Sequence, residues 1–439
     1  MLKIVKGYFK LPLFTRIISA FILGIVLGMT LYYFRETDWQ STVVRVLMPF
    51  GGVLISMLKM IVIPIIFFSL IDGASSLPIR QFGKLGTGVL IWYFCTSVFA
   101  AVFGCFLAMW LNPTMKNVAE IPSEFISQLS QMRASGAGTA SFGEFIMSLF
   151  TNPFEALSKG MFLPIIIFAI LFGIAARYTA DHSQQGLNAP TEKLLEICRA
   201  ILQTCFRIID WILEYFPIGI FALTAVNFAR YGTDLFGPYL QIIGCVFAGV
   251  MLMLFVIYPI MIAIGTRTNP YKILWKIRQP VLTAFLTRSS SATLPVSFRT
   301  AEKELRIQNE LSSFSLPLGA TINMDGVCIH LPVFAILAAN IFGIDMNLQN
   351  LLVLVVSIVF ASVGAGGIPG GSVFLLFMVL ANMGLTEENI MLIAALALGI
   401  NPILDMLETA CNVAGDNVCN YVVAKRNDMV QDDKWKSVE

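Results

Sequence analysis

The chain has 439 residues, of which 57% are hydrophobic and only 13% charged, with a formal net charge of +2. Soluble globular proteins carry about 25% charge, so this balance over long apolar runs excludes a soluble enzyme and indicates an all-α polytopic membrane protein. Eight cysteines, among them Cys95, Cys105, Cys245, Cys328, Cys411 and Cys419 inside apolar runs, show no CxxC or metal spacing and read as small buried hydrophobes.

The first ten residues, with Lys3, Lys6 and Lys10, form a short basic amphipathic segment suited to a cytoplasmic membrane surface, and no cleavable signal is evident. Spanning segments are predicted near residues 14–34, 42–71, 85–111, 145–176, 194–226 and 236–265. Basic loops alternate with poorer ones. Arg80 and Lys84 follow the second span, Arg177 and Lys193 the fourth, and Arg267, Lys272, Lys276 and Arg278 the sixth. That alternation places the N-terminus and the end of the sixth span inside. Residues 112–144, a polar loop rich in Ser and Gly, carry no assignment.

Past residue 266 the pattern breaks. Residues 280–298 are apolar only in halves around a Ser/Thr-rich stretch at 287–293, and residues 351–380 are divided by a Gly-rich stretch at 364–372. Each half is too short to cross a bilayer. Two interrupted segments in corresponding places predict re-entrant helical hairpins within an inverted repeat, because irregular backbone at that depth must line a cavity or be buried in protein. Between them, Gly319 and Gly326 bracket a polar core inside an apolar helix. Local unwinding there is expected to free backbone carbonyls and to present Asn323 and Asp325 as oxygen ligands for a hard cation. Tyr93, Thr96 and Ser97 put three hydroxyls on one face of the third span.

The last hydrophobic helix, near 390–425, carries the densest signal. Asn401, Asp405, Glu408, Asn412 and Asp416 are offset by 0, 4, 7, 11 and 15 residues, within an arc of roughly 80° at about 100° per residue. Ionisable groups at membrane depth are costly and face a bundle interior or a wet cavity where ions or solutes bind.

At these residues the chain resembles the sodium-coupled dicarboxylate and amino acid:cation symporter family. The likeness runs nearly end to end, from Leu-Lys-Met-Ile-Val-Ile-Pro (58–64) and Asn-Pro-Phe (152–154) to Val-Ala-Lys (423–425). It is densest in Thr-Arg-Ser-Ser-Ser-Ala-Thr-Leu-Pro (287–295), Asn-Met-Asp-Gly (323–326), Gly-Gly-Ile-Pro-Gly (366–370) and the final helix. The resemblance implies eight transmembrane helices plus two re-entrant hairpins, assembled as a homotrimer in the cell (inner or plasma) membrane with both termini cytoplasmic. It also implies a division into scaffold helices one and two (1–84), a third helix (85–111) belonging to the mobile transport domain, a loop with scaffold helices four and five (112–230), and the remaining transport domain (231–439). That domain would slide as an elevator.

The resemblance further implies three sodium sites. One would comprise Gly319, Asn323, Asn412 and Asp416, and a second Tyr93, Thr96, Ser97, Asn323 and Asp325. A third would use backbone oxygens of Thr321, Ser362, Val363 and Ala365. Substrate contacts would come from Arg288, Ser290, Ser291, Val327, Gly367, Asn401, Asp405, Glu408, Thr409 and Asn412. Asp405 would meet an amino group, and Ser290, Ser291 and Asn412 a carboxylate. No organic cofactor and no nucleic-acid partner are expected.

Three positions depart from the pattern of acidic-substrate members. Glu408 stands where those carry a carboxylate-gripping arginine, Asn401 where they carry its aspartate partner, and Val327 where they carry a threonine hydroxyl. The expectation is an amino acid whose side chain is neutral or cationic, moved with Na⁺. Proton coupling through Glu408 is the alternative for one Na⁺, and an acidic amino acid or C4-dicarboxylate is the alternative substrate. Asp325, Asp405, Glu408, Asp416 and Arg288 total −3 when all are ionised. Three Na⁺ with a neutral amino acid, or two with a cationic one, would balance that. His330, seven residues past Asn323, receives no role. A remote alternative, an intramembrane serine hydrolase, would take Ser289–Ser291 or Ser372 as nucleophile and His330 as base, but no G-x-S-x-G is present.

Overall fold

The computed structural model describes residues 11–35, 37–75, 83–114, 147, 150–159, 161–182, 187–363 and 370–431. Among these, seven apolar helical runs are long enough to cross a bilayer: Thr15–Tyr33, Asp38–Ser75, Leu85–Leu111, Pro164–His182, Asn188–Thr266, Asn309–Phe342 and Glu387–Arg426. Strand pairing among the described residues is limited to an isolated bridge between Ile307 and Val430.

The first helices are α1 (Leu13–Tyr33), α2 (Asp38–Ser75) and α3 (Gly83–Leu111). The fourth predicted span needs correction. Residues 145–176 do not form one helix. Asn152 accepts the Phe154 amide at 2.9 Å and Pro153 opens a seven-residue helix, α4 (Pro153–Lys159), before a separate helix, α5 (Phe162–His182). Proline at the first position of a helix starts it, because its missing N–H costs nothing there.

α6 (Asn188–Tyr231) and α7 (Phe236–Leu252) belong to one 79-residue apolar run. At 1.5 Å per residue that run would measure about 118 Å, several times the roughly 30 Å of a bilayer core. It turns at Gly232, whose φ of +54° suits glycine and whose missing Cβ leaves room for the Tyr32 ring. α7 passes through a π-helical turn at Met253–Ile257 into α8 (Tyr258–Thr266). The turn resets the register that aims Tyr258 into the core.

α9 (Pro270–Lys276) leads into α10 (Arg278–Thr287) and α11 (Ser290–Lys303), which pack on each other. Their interruption is two residues wide, not the seven predicted. Arg288 takes a left-handed conformation (φ 55°), and the Ser289 hydroxyl caps α11 by accepting the Ala292 amide at 3.2 Å. α12 (Asn309–Ile322) and α13 (Asp325–Phe342) are separated only by Asn323 and Met324, both non-helical. α14 (Leu348–Ser362) and α15 (Gly371–Asn382) follow; of the Gly-rich stretch predicted at 364–372, residues 364–369 lie outside the described residues, Gly370 precedes α15, and Gly371 and Ser372 open it. α16 (Glu387–Arg426) closes the fold.

α1 and α2 pack on α6, and α2 also on α5. The Arg16 guanidinium, buried in α1, donates to both oxygens of Glu214 in α6 at 2.7 and 3.1 Å. A second group gathers round α13, which packs on α3, α14, α15 and α16. Every residue of α13 except Asn340 is buried, as is every residue of α15 from Gly371 to Leu380. The broken helix and the polar stripe of α16 therefore meet inside protein, away from lipid.

Candidate functional site

The break between α12 and α13 is where the polar groups converge. Asn323 ends α12 with its amide on the Gly319 carbonyl at 2.8 Å, and its side-chain nitrogen donates to Asp416 at 2.9 Å. From α3, the Thr96 hydroxyl reaches Asn323 Oδ1 at 3.3 Å, Ser97 reaches Asp325 at 3.5 Å, and Tyr93 donates to the Ser315 carbonyl at 2.9 Å. Tyr258 donates to the other Asp325 oxygen at 2.7 Å and to the Cys411 carbonyl at 3.2 Å. All of these residues are buried. The assembly is one of amide, hydroxyl and carboxylate oxygens, the donors a hard cation takes.

Two glycines make room for it. A Cβ on Gly319 would collide with the Asp416 carboxylate and the Tyr93 hydroxyl, and one on Gly415 would meet the Tyr258 hydroxyl at 2.7 Å and Asp325 at 2.9 Å. Asn412 holds the break from the other side. Its Oδ1 accepts the Gly326 amide at 2.7 Å and its nitrogen faces the Met324 sulfur at 3.2 Å. Both polar ends of Asn412 are thus engaged by the broken helix.

A second polar group lies one turn and more toward the start of α16. Asp405 accepts the Gly370 amide at 3.1 Å and has the Arg288 guanidinium at 3.9 Å. The Glu408 carboxylate meets the His330 imidazole, Oε1 against Nδ1, and also accepts from the Ser372 hydroxyl at 3.2 Å. Ser372 is in addition 3.5 Å from Asn401. His330 and Glu408 are each 1% exposed, so this contact is shielded from water. The backbone of Glu408 presses on Gly326, where a methyl group would strike the Glu408 carbonyl oxygen and Cα. Gly326→Ala is therefore expected to destabilise the protein by about 1–3 kcal/mol, because backbone cannot step aside as a side chain can. Thermal unfolding of the detergent-purified variant measures this.

Of the other predicted residues, Val327 is buried in the first turn of α13, and Thr409 is buried with its hydroxyl on the Asp405 carbonyl at 2.7 Å. Ser290 is buried at the start of α11, whereas Ser291 is exposed. Ser362 is buried and lies with Ser97 against the Cys328 thiol; Val363 is half-buried. Thr321 turns its hydroxyl back to the Pro317 carbonyl at 3.0 Å. Ala365 and Gly367 lie outside the described residues.

Sequence reasoning missed Tyr258 and Gly415, named Ser372 only as a nucleophile of the remote hydrolase alternative, and left His330 without a role in transport. The signal for His330 was available: it stands four residues beyond Gly326, on the same face of α13. The serine hydrolase does not suit this geometry. The carboxylate of Glu408 stands between Ser372 and His330, so the imidazole does not serve the hydroxyl as a base.

A broken apolar helix buried against a carboxylate-lined one defines a multi-pass membrane protein with a polar site inside its helix bundle. The family model for the sodium:dicarboxylate symporter family matches residues 13–426, and the chain belongs to that family. It is similar to the proton/glutamate-aspartate symporter of Escherichia coli (strain K12), at 30% identity over 424 residues, covering 95% of this chain and 93% of that protein. A serine/threonine transporter of Acinetobacter baumannii is 28% identical over 415 residues, with 93% of this chain and 95% of the relative covered. The neutral amino acid transporter B(0) of Bos taurus is 31% identical over 394 residues, 83% of this chain and 71% of its own length. These relatives are named for transport, none for an enzymatic activity.

Proposed function

We propose that the chain is a Na⁺-coupled secondary active symporter of an amino acid whose side chain is neutral or cationic. The observation that carries this reading is Glu408, buried beside Asp405 with His330 and Ser372 on it. A second substrate carboxylate arriving here would meet a carboxylate already in place, and only protonation would relieve the repulsion. Na⁺ as cargo fits the oxygen cluster of Asn323, Asp325, Asp416, Thr96 and Ser97. Substrate fits the Asp405 and Arg288 end, with the amino group on Asp405.

Coupling follows when Na⁺ and substrate favour the same closed arrangement of the broken helix, since each then raises the affinity for the other. Asn412 supports that linkage because it joins α16 to the Gly326 amide between the two groups. In this reading the protein is a homotrimer of the cell membrane with both termini cytoplasmic. The turn at Gly232 makes the 79-residue run two crossings and the total eight. The α1, α2, α5 and α6 group is the scaffold, and α3 with the elements from α7 onward moves as the elevator. A symporter of acidic amino acids or C4-dicarboxylates is the second reading, favoured by the family's description and by the Escherichia coli relative's name. Competition of labelled amino-acid uptake by aspartate, serine and lysine in vesicles under an inward Na⁺ gradient separates the two. Serine or lysine should compete and aspartate should not; aspartate winning outright would end the first reading.

A further inference from the structure

Cations along the chain differ in how they are satisfied. On α5 and α6, Arg177 pairs with Asp181 and Glu192, Arg199 with Asp72, and Arg207 with Asp210. Round α9 the pattern changes. Between Asp234 and Glu302 the chain has no acidic residue, yet Arg267, Lys272, Lys276 and Arg278 fall in that interval. Lys276 is half-buried and donates to the Glu304 carbonyl at 2.9 Å. Lys272 and Arg278 are exposed, and among the described residues neither has a carboxylate at ion-pair distance.

The surroundings of these two cations are layered like a membrane surface. The preceding spanning run ends at Thr266, and α9 follows it, capped by Asn269 on the Tyr271 amide at 3.1 Å and packed on α8 and α10. Ile273 and Ile277 are buried on its inner side, whereas Tyr271 and Trp275 are exposed. Tyrosine and tryptophan settle where headgroups meet hydrocarbon. The Tyr271 hydroxyl is pinned to the Phe255 carbonyl at 3.3 Å. The neighbouring helices expose apolar side chains, Ile264 on α8 and Leu282 and Leu286 on α10. Arg278 is set in place before any ligand arrives: its guanidinium lies 4.2 Å from the centre of the Trp275 ring and donates to the Trp275 carbonyl at 2.6 Å. Its other N–H groups are left for an outside acceptor.

We propose that the α8–α10 corner is a binding site for an anionic phospholipid. The lipid phosphate meets Lys272 and Arg278, the guanidinium with its parallel N–H donors and the ammonium as a point charge. The glycerol region lies against Tyr271 and Trp275, and the acyl chains run along the exposed leucines of α10. A zwitterionic headgroup suits the corner less well, because its ammonium finds no acidic side chain on α8, α9 or α10. Free phosphate would use the two cations and leave the aromatic and apolar residues uncovered. The lipid anchors this corner at headgroup depth whichever solute the protein carries.

The test uses the full chain in phosphatidylcholine vesicles carrying, at equal mole fraction, either brominated phosphatidylglycerol or brominated phosphatidylcholine. Bromine on the lipid chains quenches tryptophan that it touches, and subtraction of Trp275→Phe isolates the Trp275 signal. Phosphatidylglycerol should be preferred by about fivefold or more, the effect of one unpaired lysine or arginine at an anionic surface. High salt should reduce the preference. Lys272→Gln/Arg278→Gln should bring the two lipids to parity, and Lys272→Glu/Arg278→Glu should favour phosphatidylcholine. Equal quenching in the wild type overturns the site, as does a preference unchanged in the double variants. Loss of the preference on adding inorganic phosphate, but not chloride at equal ionic strength, would make it a free-anion site and overturn the lipid assignment. Quenching needs no transport, so these outcomes are distinct from failure of Na⁺-driven uptake.

Discussion

Asp416→Asn is expected to raise the Na⁺ concentration for half-maximal uptake by about 100-fold, or about 2.7 kcal/mol, and to weaken substrate binding with it. Asp416 is buried at 3% exposure, holds the Asn323 side chain at 2.9 Å, and stands where Gly319 leaves space for its carboxylate. The amide keeps the shape and removes the charge, so a cation entering the same oxygens loses the counter-charge of Asp416 and keeps that of Asp325. Substrate affinity falls because Asn323 and Gly326 belong to one break, and Gly326 is joined to Asn412 and Glu408. Flux measured against Na⁺ concentration, at fixed and at saturating substrate, separates the two losses. Unaltered Na⁺ dependence would remove Asp416 from the site.

The second large effect is a reversal of preference. Glu408→Arg combined with Asn401→Asp is expected to raise aspartate uptake at least about tenfold over wild type and to abolish lysine uptake. Residues 401 and 408 lie two turns apart on one face of α16, and Ser372 already bridges them at 3.5 and 3.2 Å. An arginine at 408 offers a substrate carboxylate two parallel N–H donors, and an aspartate at 401 holds that guanidinium in place. Glu408→Arg alone should do worse, since it leaves Arg288 and the new guanidinium to share Asp405 as counter-charge. Labelled uptake of aspartate and lysine by both variants decides the matter. Persistence of lysine uptake in the double variant would contradict the role given to Glu408.

Much of this arrangement was legible in the sequence, for a physical reason. The stripe of α16 is a 3.6-residue pattern of costly groups on an apolar background, and all five positions are 1–4% exposed. The pair of glycines round Asn323 marked the break for the same reason, since an apolar helix does not lose its hydrogen bonds at membrane depth without compensation. What stayed hidden is long-range. His330 faces a carboxylate 78 residues away in the chain, and Tyr258 reaches Asp325 from behind a π-turn whose extra residue no periodicity reveals. The fourth span was misread because apolar composition masks a start signal as short as Asn152-Pro153. The interruption between α10 and α11 was drawn too wide because Ser and Thr are polar by composition, yet Ser290 and Thr293 belong to α11 as buried helix.

The most direct test of the cation cage between the broken helix and α16 is amino-acid uptake by reconstituted vesicles with Na⁺ outside, compared with choline at equal osmolarity and pH. Accumulation against a gradient in Na⁺ and none in choline is the predicted result. Equal accumulation in choline would contradict the assignment of those oxygens to sodium.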